Sequence, residues 1–142
     1  MVSPGYSGTP LPRKLGLRAG TRVALLHAPA GIEELLVPLP DGVAIQHGLR
    51  RSDRVDLVLA FVTERDHLAR NIGWVLGTLP PDGACWVAWP KRAAKVPTDM
   101  TEHVVREIVL PLGWVDTKVC AVDATWSALK LVLRVELRGA RT

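Results

Sequence analysis

The stretch from Thr21 to Leu36, TRVALLHAPAGIEELL, predicts a strand, a tight turn and a helix, and its turn holds the groups best placed to contact a ligand. His27 comes just after the strand, where an imidazole can bind a ligand or accept a proton. Gly31 opens the helix, whose first N–H groups are free and can hold a small anion. Pro29 lies between them and has no N–H to donate. The competing interpretation of His27 is a side chain hydrogen-bonded within the turn.

Two basic residues follow another strand of the same sheet. Ligands in open α/β sheets collect at the carboxyl ends of the strands, and Lys91 and Arg92 come just after the strand ACWVAWP. They could therefore face an anion in the same cleft as His27, although solvation of loop charges is the simpler explanation. Thr63 also follows a strand, and we predict that it caps a helix, with Asp66 completing a capping box.

The residues of a catalytic centre cannot be identified in this sequence. It contains no nucleophile with a matching base, no metal-ligand spacing and no paired acids. His67 and His103 fall in the first turns of predicted helices, where we expect them to be exposed, and we assign them no role. Cys85 and Cys120 lie in apolar segments without a CxxC pair and are predicted to be buried, reduced thiols. We therefore predict no catalytic residue and no metal site, and we favour a protein that is not an enzyme.

The length of the chain, 142 residues, suits a single domain spanning 1–142. Residues 1–20 are predicted to form an N-terminal extension with a short helix, which Thr9 can cap and Gly16 can end. No apolar run approaches the roughly 20 residues that cross a bilayer, and the N-terminus lacks the basic start and apolar stretch of a signal peptide. These features predict a cytoplasmic protein that does not engage a membrane.

The net charge is +4, from 18 basic and 14 acidic residues. The basic residues gather in three clusters: Arg13, Lys14 and Arg18; Arg50, Arg51 and Arg54; Lys91, Arg92 and Lys95. A nucleic-acid binder of this size usually concentrates its charge more strongly and places aromatic residues among it. We therefore interpret the clusters as solvated loops and disfavour a nucleic-acid partner. An accessory protein associated with nucleic acid is kept as an alternative, and it requires the clusters to share one face.

Continuous apolar runs alternate with amphipathic segments and predict an α/β fold. Strands are expected at 22–28, 43–49, 55–62, 84–90, 115–123 and 127–137, and helices at 31–39, 63–79 and 99–112. The gap between the last two strands permits a hairpin and is too short for a crossover helix. The prediction is a three-layer, Rossmann-like sandwich with a mostly parallel sheet and a C-terminal antiparallel hairpin. That hairpin, with its alternating LKLVLRVEL, is a candidate edge for a homodimer.

This layout resembles the class I methyltransferases, whose sheets also close with an antiparallel hairpin. VDLVLAFV and TLPPDGACWVAWP are similar to their fourth strand and to the segment that contains their fifth, and LPLGWVDTKVCAVDATWSALKLVLR is similar to their closing hairpin. One helix–strand unit after the second strand is missing, so the chain looks like a shortened class I methyltransferase. By the same analogy, Tyr6 lies in an N-terminal segment that would fold over the cleft as a lid and share a pocket with His27 and Lys91.

The cofactor loop of the methyltransferases, commonly written DxGxGxG, is poorly matched. Leu25 falls on the acid, His27 and Pro29 fall on the first two glycines, and only Gly31 agrees. The second strand, VAIQHGL, ends in Gln and His where a ribose-binding acid is expected. Each hydrogen bond lost to a cofactor costs on the order of 1 kcal/mol. The resemblance therefore implies the fold without the cofactor, and we predict no cofactor.

The leading hypothesis is a non-catalytic Rossmann-like domain that binds a small anionic ligand or a protein partner. Its alternative is a divergent S-adenosylmethionine-dependent methyltransferase in which Tyr6 or Lys91 helps in place of the lost glycines. A closer resemblance is carried by GYSGTPLPRKLGL, WVAWPK and PTDMTEHVVREIVLPLGWVDTKVCAVDATWSALKLV. These segments look like a bacterial family catalogued as domain of unknown function 3052. That resemblance runs from Gly5 to about Arg138 and implies no known activity.

Overall fold

The computed structural model describes residues 8–139, which form a six-stranded sheet with helices on both faces. The strands are β1 Arg22–Leu26, β2 Ala44–His47, β3 Leu57–Phe61, β4 Ala84–Pro90, β5 Trp114–Ala121 and β6 Trp126–Leu133. The α-helices are α1 Leu11–Leu15, α2 Ile32–Leu35, α3 Arg65–Leu76, α4 Glu102–Val109 and α5 Val135–Arg138. Short 3-10 turns at Arg92–Ala94 and Leu110–Leu112 lie on either side of α4.

The strand order is β2-β1-β3-β4-β6-β5. The first four strands pair in parallel, while β6 is antiparallel to both β4 and β5. The predicted α/β sandwich with a mostly parallel sheet and a C-terminal hairpin is therefore confirmed. Parallel pairing brings the carboxyl ends of β1, β2, β3 and β4 to one edge of the sheet, which is the edge that carries the candidate site.

Apolar layers cover both faces of the sheet, which explains why its strands are continuous apolar runs. Helices α3 and α4 pack on one face and helices α1 and α2 on the other. Trp86 and Trp89 of β4 pack on opposite faces, as strand alternation predicts. The indole N–H of the fully buried Trp86 donates to the carbonyl of Leu15 at 3.1 Å, which ties the end of α1 to the centre of the sheet.

The helix starts differ from those predicted. Glu64 precedes α3, and no side chain of its own segment caps it, so the predicted Thr63–Asp66 capping box is wrong. The carboxylate of Asp99, from the loop before α4, instead accepts the N–H of Arg65 at 2.7 Å. Asp99 was expected to open α4, whereas the Thr101 hydroxyl caps that helix by accepting the N–H of Val104. A long-range partner has thus replaced the local one.

For the short first helix α1, the predicted end is confirmed and the predicted cap is wrong. Gly16 ends α1 in the left-handed conformation, with φ of 84°, as expected. The residue that precedes the helix is Pro10 rather than Thr9, and no side chain caps it. Pro12, the second residue of the helix, has no N–H for a cap to accept, so less is lost without one.

The last strand is shorter than predicted. Leu133 ends β6 opposite Trp114, which begins β5, so no ladder partner exists beyond this pair. The N–H of Arg134 donates to the carbonyl of Gly113 at 3.0 Å, and the chain turns into α5. The closing hairpin lies at an edge of the sheet as predicted, but β6 is paired on both sides, so the free strand of that edge is β5 rather than the last strand, and the homodimer stays a prediction.

The two cysteines differ in burial, which gives a testable difference in reactivity. Both are free; Cys85 is fully buried and Cys120 half-buried. Burial raises the pKa of Cys85 to about 12. Burial also raises the pKa of Cys120, against the opposing charges of Lys14 and Lys118. Both thiols are protonated at neutral pH as a result.

Because the thiolate is the reacting form, native protein at mildly alkaline pH is expected to release colour from a disulfide reagent at no more than one site. That site is Cys120, reacting slowly, and denaturant should expose the second thiol. The Cys120→Ser variant should show no reaction until it unfolds. Rapid titration of both thiols in the native protein would contradict the assignment.

Candidate functional site

A cleft at the carboxyl edge of the sheet is built around two histidines. His27 follows β1 directly, and its backbone has φ of 55°, in the left-handed region that favours glycine. His67 lies in the first turn of α3. The two ring centroids are 5.0 Å apart with an interplanar angle of 78°, which is an edge-to-face contact. The pair joins the end of β1 to the start of α3.

Two cavities share the histidine pair. The first, of about 290 Å³, is mostly apolar, and its walls come from the strand ends and from α3: Leu26, His27, Gly48, Leu49, Ala60, Val62, His67, Leu68, Asn71, Ile72, Trp74 and Val75. The second, also of about 290 Å³, shares His27, Val62 and His67 and adds Phe61, Thr63, Glu64 and Trp126. Small-molecule sites usually enclose about 300–1,000 Å³, so each cavity alone is just below that range.

Three contacts fix the polar and aromatic wall of the first cavity. The amide of Asn71 donates to the carbonyl of His67 at 2.9 Å, and its oxygen accepts the indole N–H of Trp74 at 3.2 Å. The guanidinium of Arg51 lies 5.2 Å from the centroid of the Trp74 ring, in a cation–π contact. Trp74 is therefore held at its indole N–H by Asn71 and over its ring by Arg51, which gives the cavity an oriented aromatic wall.

The turn after His27 contributes less than its sequence indicated. Gly31 has φ of 91° and directly precedes α2, as predicted. Helix α2 ends at Leu35 rather than at 39, so few aligned peptide dipoles support its N-terminus. The carbonyl of Pro29 accepts the N–H of Ile32 at 3.4 Å. Neither Pro29 nor Gly31 lines the two histidine cavities, and their part in binding stays a prediction.

The two predicted basic residues, Lys91 and Arg92, do not line the cavities of the histidine pair. The backbone N–H of Lys91 donates to the carbonyl of Thr125 at 2.7 Å. Arg92 lines a separate cavity together with Met100 and neighbouring residues. Neither basic residue lines the cavities of His27. Tyr6 lies outside the described residues, so its role as part of a lid stays a prediction.

Three residues of the cleft were missed by sequence reasoning. His67 was expected to be exposed and without a role, yet it is half-buried and lines both cavities. Asn71 and Trp74 lie four and seven residues after it, on the same face of α3. The available signal was positional: α3 begins where β3 ends, so its first turns must lie at the same edge as His27.

Two carboxylates lie beside the end of β2, although that strand carries none. Glu33 of α2 pairs with Nε2 of His47. Asp53 accepts the backbone N–H of Arg50 at 2.9 Å and the side-chain amide of Gln46 at 3.0 Å. These hydrogen bonds, that of the Arg50 N–H first, hold the pKa of Asp53 below its ordinary value. Neighbouring segments thus bring negative charge to the corner where the strand itself offers none.

Within residues 8–139, no three side chains of His, Cys, Asp or Glu converge as ligands for a metal ion. The two histidines outside the cleft each have a carboxylate partner: His47 pairs with Glu33, and His103 pairs with Glu107 at 3.0 Å. None of the helices in that part of the chain combines the length and the apolar composition needed to cross a bilayer.

No protein-family model matches the sequence, so its membership of the family catalogued as domain of unknown function 3052 stays a prediction. No curated protein matches it either.

Solved structures match it through their fold. A SAM-dependent methyltransferase from Aquifex aeolicus superposes with a TM-score of 0.62 at 14% identity, covering 85% of this chain and 86% of that one. The complex of DhpI with SAH gives a TM-score of 0.59 at 14% identity, covering 86% and 81%. The magnesium protoporphyrin IX methyltransferase ChlM from Synechocystis, with bound SAH, gives 0.56 at 11% identity, covering 87% and 78%. At such identities the likeness shows the fold alone, and that fold is the α/β fold of the class I methyltransferases.

Proposed function

We propose that this protein is a divergent S-adenosylmethionine-dependent methyltransferase whose cofactor cavity is the cleft around His27 and His67. The observation that carries the proposal is the coincidence of this fold with paired cavities at the carboxyl edge of the sheet. Ligands of open α/β sheets bind at that edge. Two of the superposed structures, DhpI and ChlM, contain SAH, the demethylated form of the cofactor.

The residues of the cleft fit an adenosyl group in two respects. The apolar first cavity, with the fixed ring of Trp74, suits a flat heteroaromatic base. The bend after β1 has positive φ at His27 and at Gly31, so its backbone keeps the left-handed turns of a glycine-containing loop. The imidazole of His27 packs towards His67 of α3, and both rings line the cavities as wall groups.

Each group of the cleft then has a distinct task. Leu49 and Trp74 hold the base, and Asn71 keeps the Trp74 ring in place through its indole N–H. When bound, S-adenosylmethionine supplies a methyl group on a positively charged sulfur. His27 and His67 both line the two cavities, and His67, from the first turn of α3, is the imidazole we assign to accept a proton from a methyl acceptor that enters beside Thr63 and Trp126.

Calorimetric titration with S-adenosylmethionine and with SAH tests the proposal, and we expect micromolar binding. The chain offers a matched pair of variants, because His67 and His103 both lie in the first turns of helices. His67→Ala is expected to weaken binding about tenfold, or about 1.4 kcal/mol, because it removes a wall of both cavities. His103→Ala, on α4 beside Glu107, should leave the affinity unchanged.

Absence of heat with the unmodified protein would contradict the proposal, and so would equal effects of the two histidine variants. Circular dichroism of both variants establishes that they are folded. The expected result places the cofactor against α3 and separates it from general binding to exposed imidazoles.

A non-catalytic domain that binds a small anion or a protein partner is the second candidate function. It is favoured by Pro29, which has no N–H to offer a cofactor, and by the absence of an acid on β2. It predicts no heat with S-adenosylmethionine or SAH, so the same titration separates the two candidates.

A further inference from the structure

Two lysines face each other on the closing hairpin. Lys118 of β5 and Lys130 of β6 are directly paired across the ladder, and Trp86 of β4 is the partner of Lys130 on its other side. Directly paired residues share a face of the sheet, so the side chains of Lys118 and Lys130 lie on the same face as Trp86, the face on which α1 packs. Like charges at directly opposed positions destabilise a strand pair, so this arrangement needs a reason outside the hairpin.

The first helix and its following turn bring more positive charge to the same face. A Cβ at Gly16 would lie 3.8 Å from Nζ of Lys130, so the end of α1 adjoins the lysine row. Nζ of Lys14 donates to the carbonyl of Ala121, at the end of β5, at 3.4 Å. Arg18 follows two residues after Gly16 and is exposed. We call Lys14, Arg18, Lys118 and Lys130, together with Arg13, the basic face.

Four of the five residues of the basic face form no ion pair with an acidic side chain among residues 8–139. All 14 acidic residues of the chain lie within residues 8–139, and none of the ion pairs among them involves Arg13, Arg18, Lys118 or Lys130. Burial, and then the charges of Lys118 and Arg18, lower the pKa of Lys130, so these cations act on one another. Exposed cations of globular proteins are commonly interleaved with acids, which makes this concentration unusual.

The basic face extends from an open groove beside α1 to the hairpin. An open groove of about 670 Å³ between α1 and the loop at Pro38–Pro40 is lined by Arg13, Gly16 and Arg18. Gly16 joins this groove to Lys130 and so to the hairpin. A track of this kind suits a row of negative charges better than a single ion. No member of the basic face is aromatic, so it offers contacts to a charged backbone and no platform for stacked bases.

The sequence-based alternative of a nucleic-acid accessory protein needed three basic clusters on one face, and the fold separates them. Arg51 packs on Trp74 of α3, on the opposite face of the sheet from α1. Arg92 lines a cavity beside Met100. The first cluster instead meets Lys118 and Lys130, which sequence reasoning had not selected because they lie singly within strands.

We propose that the basic face, formed by α1, its following turn and the β5–β6 hairpin, binds the phosphodiester backbone of a nucleic-acid duplex. Lysine and arginine side chains spread along a surface read phosphates without reading sequence. DNA and RNA share this chemistry, and the experiment includes both. The inference goes beyond the proposed methyltransferase function and does not depend on it.

Fluorescence anisotropy with labelled DNA and RNA duplexes of about 20 base pairs tests the proposal across salt concentrations from about 50 to 200 mM. The plot of log affinity against log salt should fall with a slope near −4, for about 0.9 counterions released per phosphate contacted. Tighter binding of RNA or of DNA would identify the source of the phosphodiester. Equal binding would assign a duplex reader that does not distinguish them.

Charge-reversed variants locate the contact. Lys118→Glu with Lys130→Glu is expected to weaken duplex binding at least about tenfold and to shift the slope by about 2. Arg92→Glu with Lys95→Glu makes the same change of charge away from the basic face and should weaken binding far less. Lys118→Glu alone, at an exposed position, keeps the test decisive if the half-buried Lys130 cannot be changed without unfolding.

Three results would overturn the proposal: no duplex binding at low salt, equal weakening by the two double variants, or equal competition by polyglutamate of matched charge. The last result would assign the face to an acidic protein. The titration with S-adenosylmethionine is independent of all three, so failure of one proposal leaves the other measurable.

Discussion

Trp86→Ala is expected to lower the free energy of unfolding by about 3–5 kcal/mol, the usual cost of removing a large aromatic side chain from a core. The side chain is fully buried on β4, between neighbouring strands and α1. Its loss leaves a cavity, and the carbonyl of Leu15 loses the hydrogen bond that it accepts from the indole N–H. Because α1 is a five-residue helix, it has little stability of its own and depends on this anchor.

Trp86→Phe separates the two parts of that effect. A phenyl ring keeps most of the buried apolar area but loses the hydrogen bond to Leu15 and leaves a smaller cavity than alanine does, so we expect a cost of about 1–3 kcal/mol. Urea denaturation followed by far-ultraviolet circular dichroism measures both variants, since four further tryptophans would mix into a fluorescence signal. A loss below about 1 kcal/mol for the alanine variant would contradict the packing described for Trp86.

Strand positions were predictable from sequence because burial on both faces leaves a strong local signal. The run Leu57–Phe61 is apolar at every position and buried at every position. Strand ends were less predictable, since they depend on partners that are distant in the chain. For example, β6 ends at Leu133 because its partner strand β5 begins at Trp114, and the next N–H, of Arg134, donates to the carbonyl of Gly113 outside the strand. The helix caps were predicted wrongly for the same reason: the N–H of Arg65 at the start of α3 donates to Asp99, a residue distant in the chain.

Only part of the candidate site could be predicted from the sequence. His27 stood out because it interrupts a strand-to-helix turn at a position where glycine is common. His67 and Trp74 did not, since each also fits an ordinary amphipathic helix. Their meeting at one cleft follows from parallel strand order and from the start of α3, neither of which a single sequence displays directly. The facing lysines of the hairpin are hidden similarly, because their register is set by the turn between the strands.

His27→Gly is expected to raise the affinity for S-adenosylmethionine about tenfold while leaving the protein folded. A residue other than glycine at φ of 55° carries backbone strain on the order of 1 kcal/mol. Glycine adopts this conformation freely and has no side chain, so the bend between β1 and α2 could approach a nucleoside closely. Both histidines line the two cavities, but His27 lies in the bend whose backbone must approach the nucleoside, so removing its ring opens space there, whereas His67 is a wall residue on α3.

Lys95→Gly provides the control, because Lys95 has φ of 56° and is exposed after the 3-10 turn that follows β4. It should relieve the same kind of backbone strain without changing the cofactor affinity. Comparison of the two variants by urea denaturation then isolates the contact between the rings of His27 and His67, which only one of them loses. Calorimetric titration gives the affinities. A weaker affinity in His27→Gly would show that the imidazole itself holds the ligand, and the steric account of the bend would then be wrong.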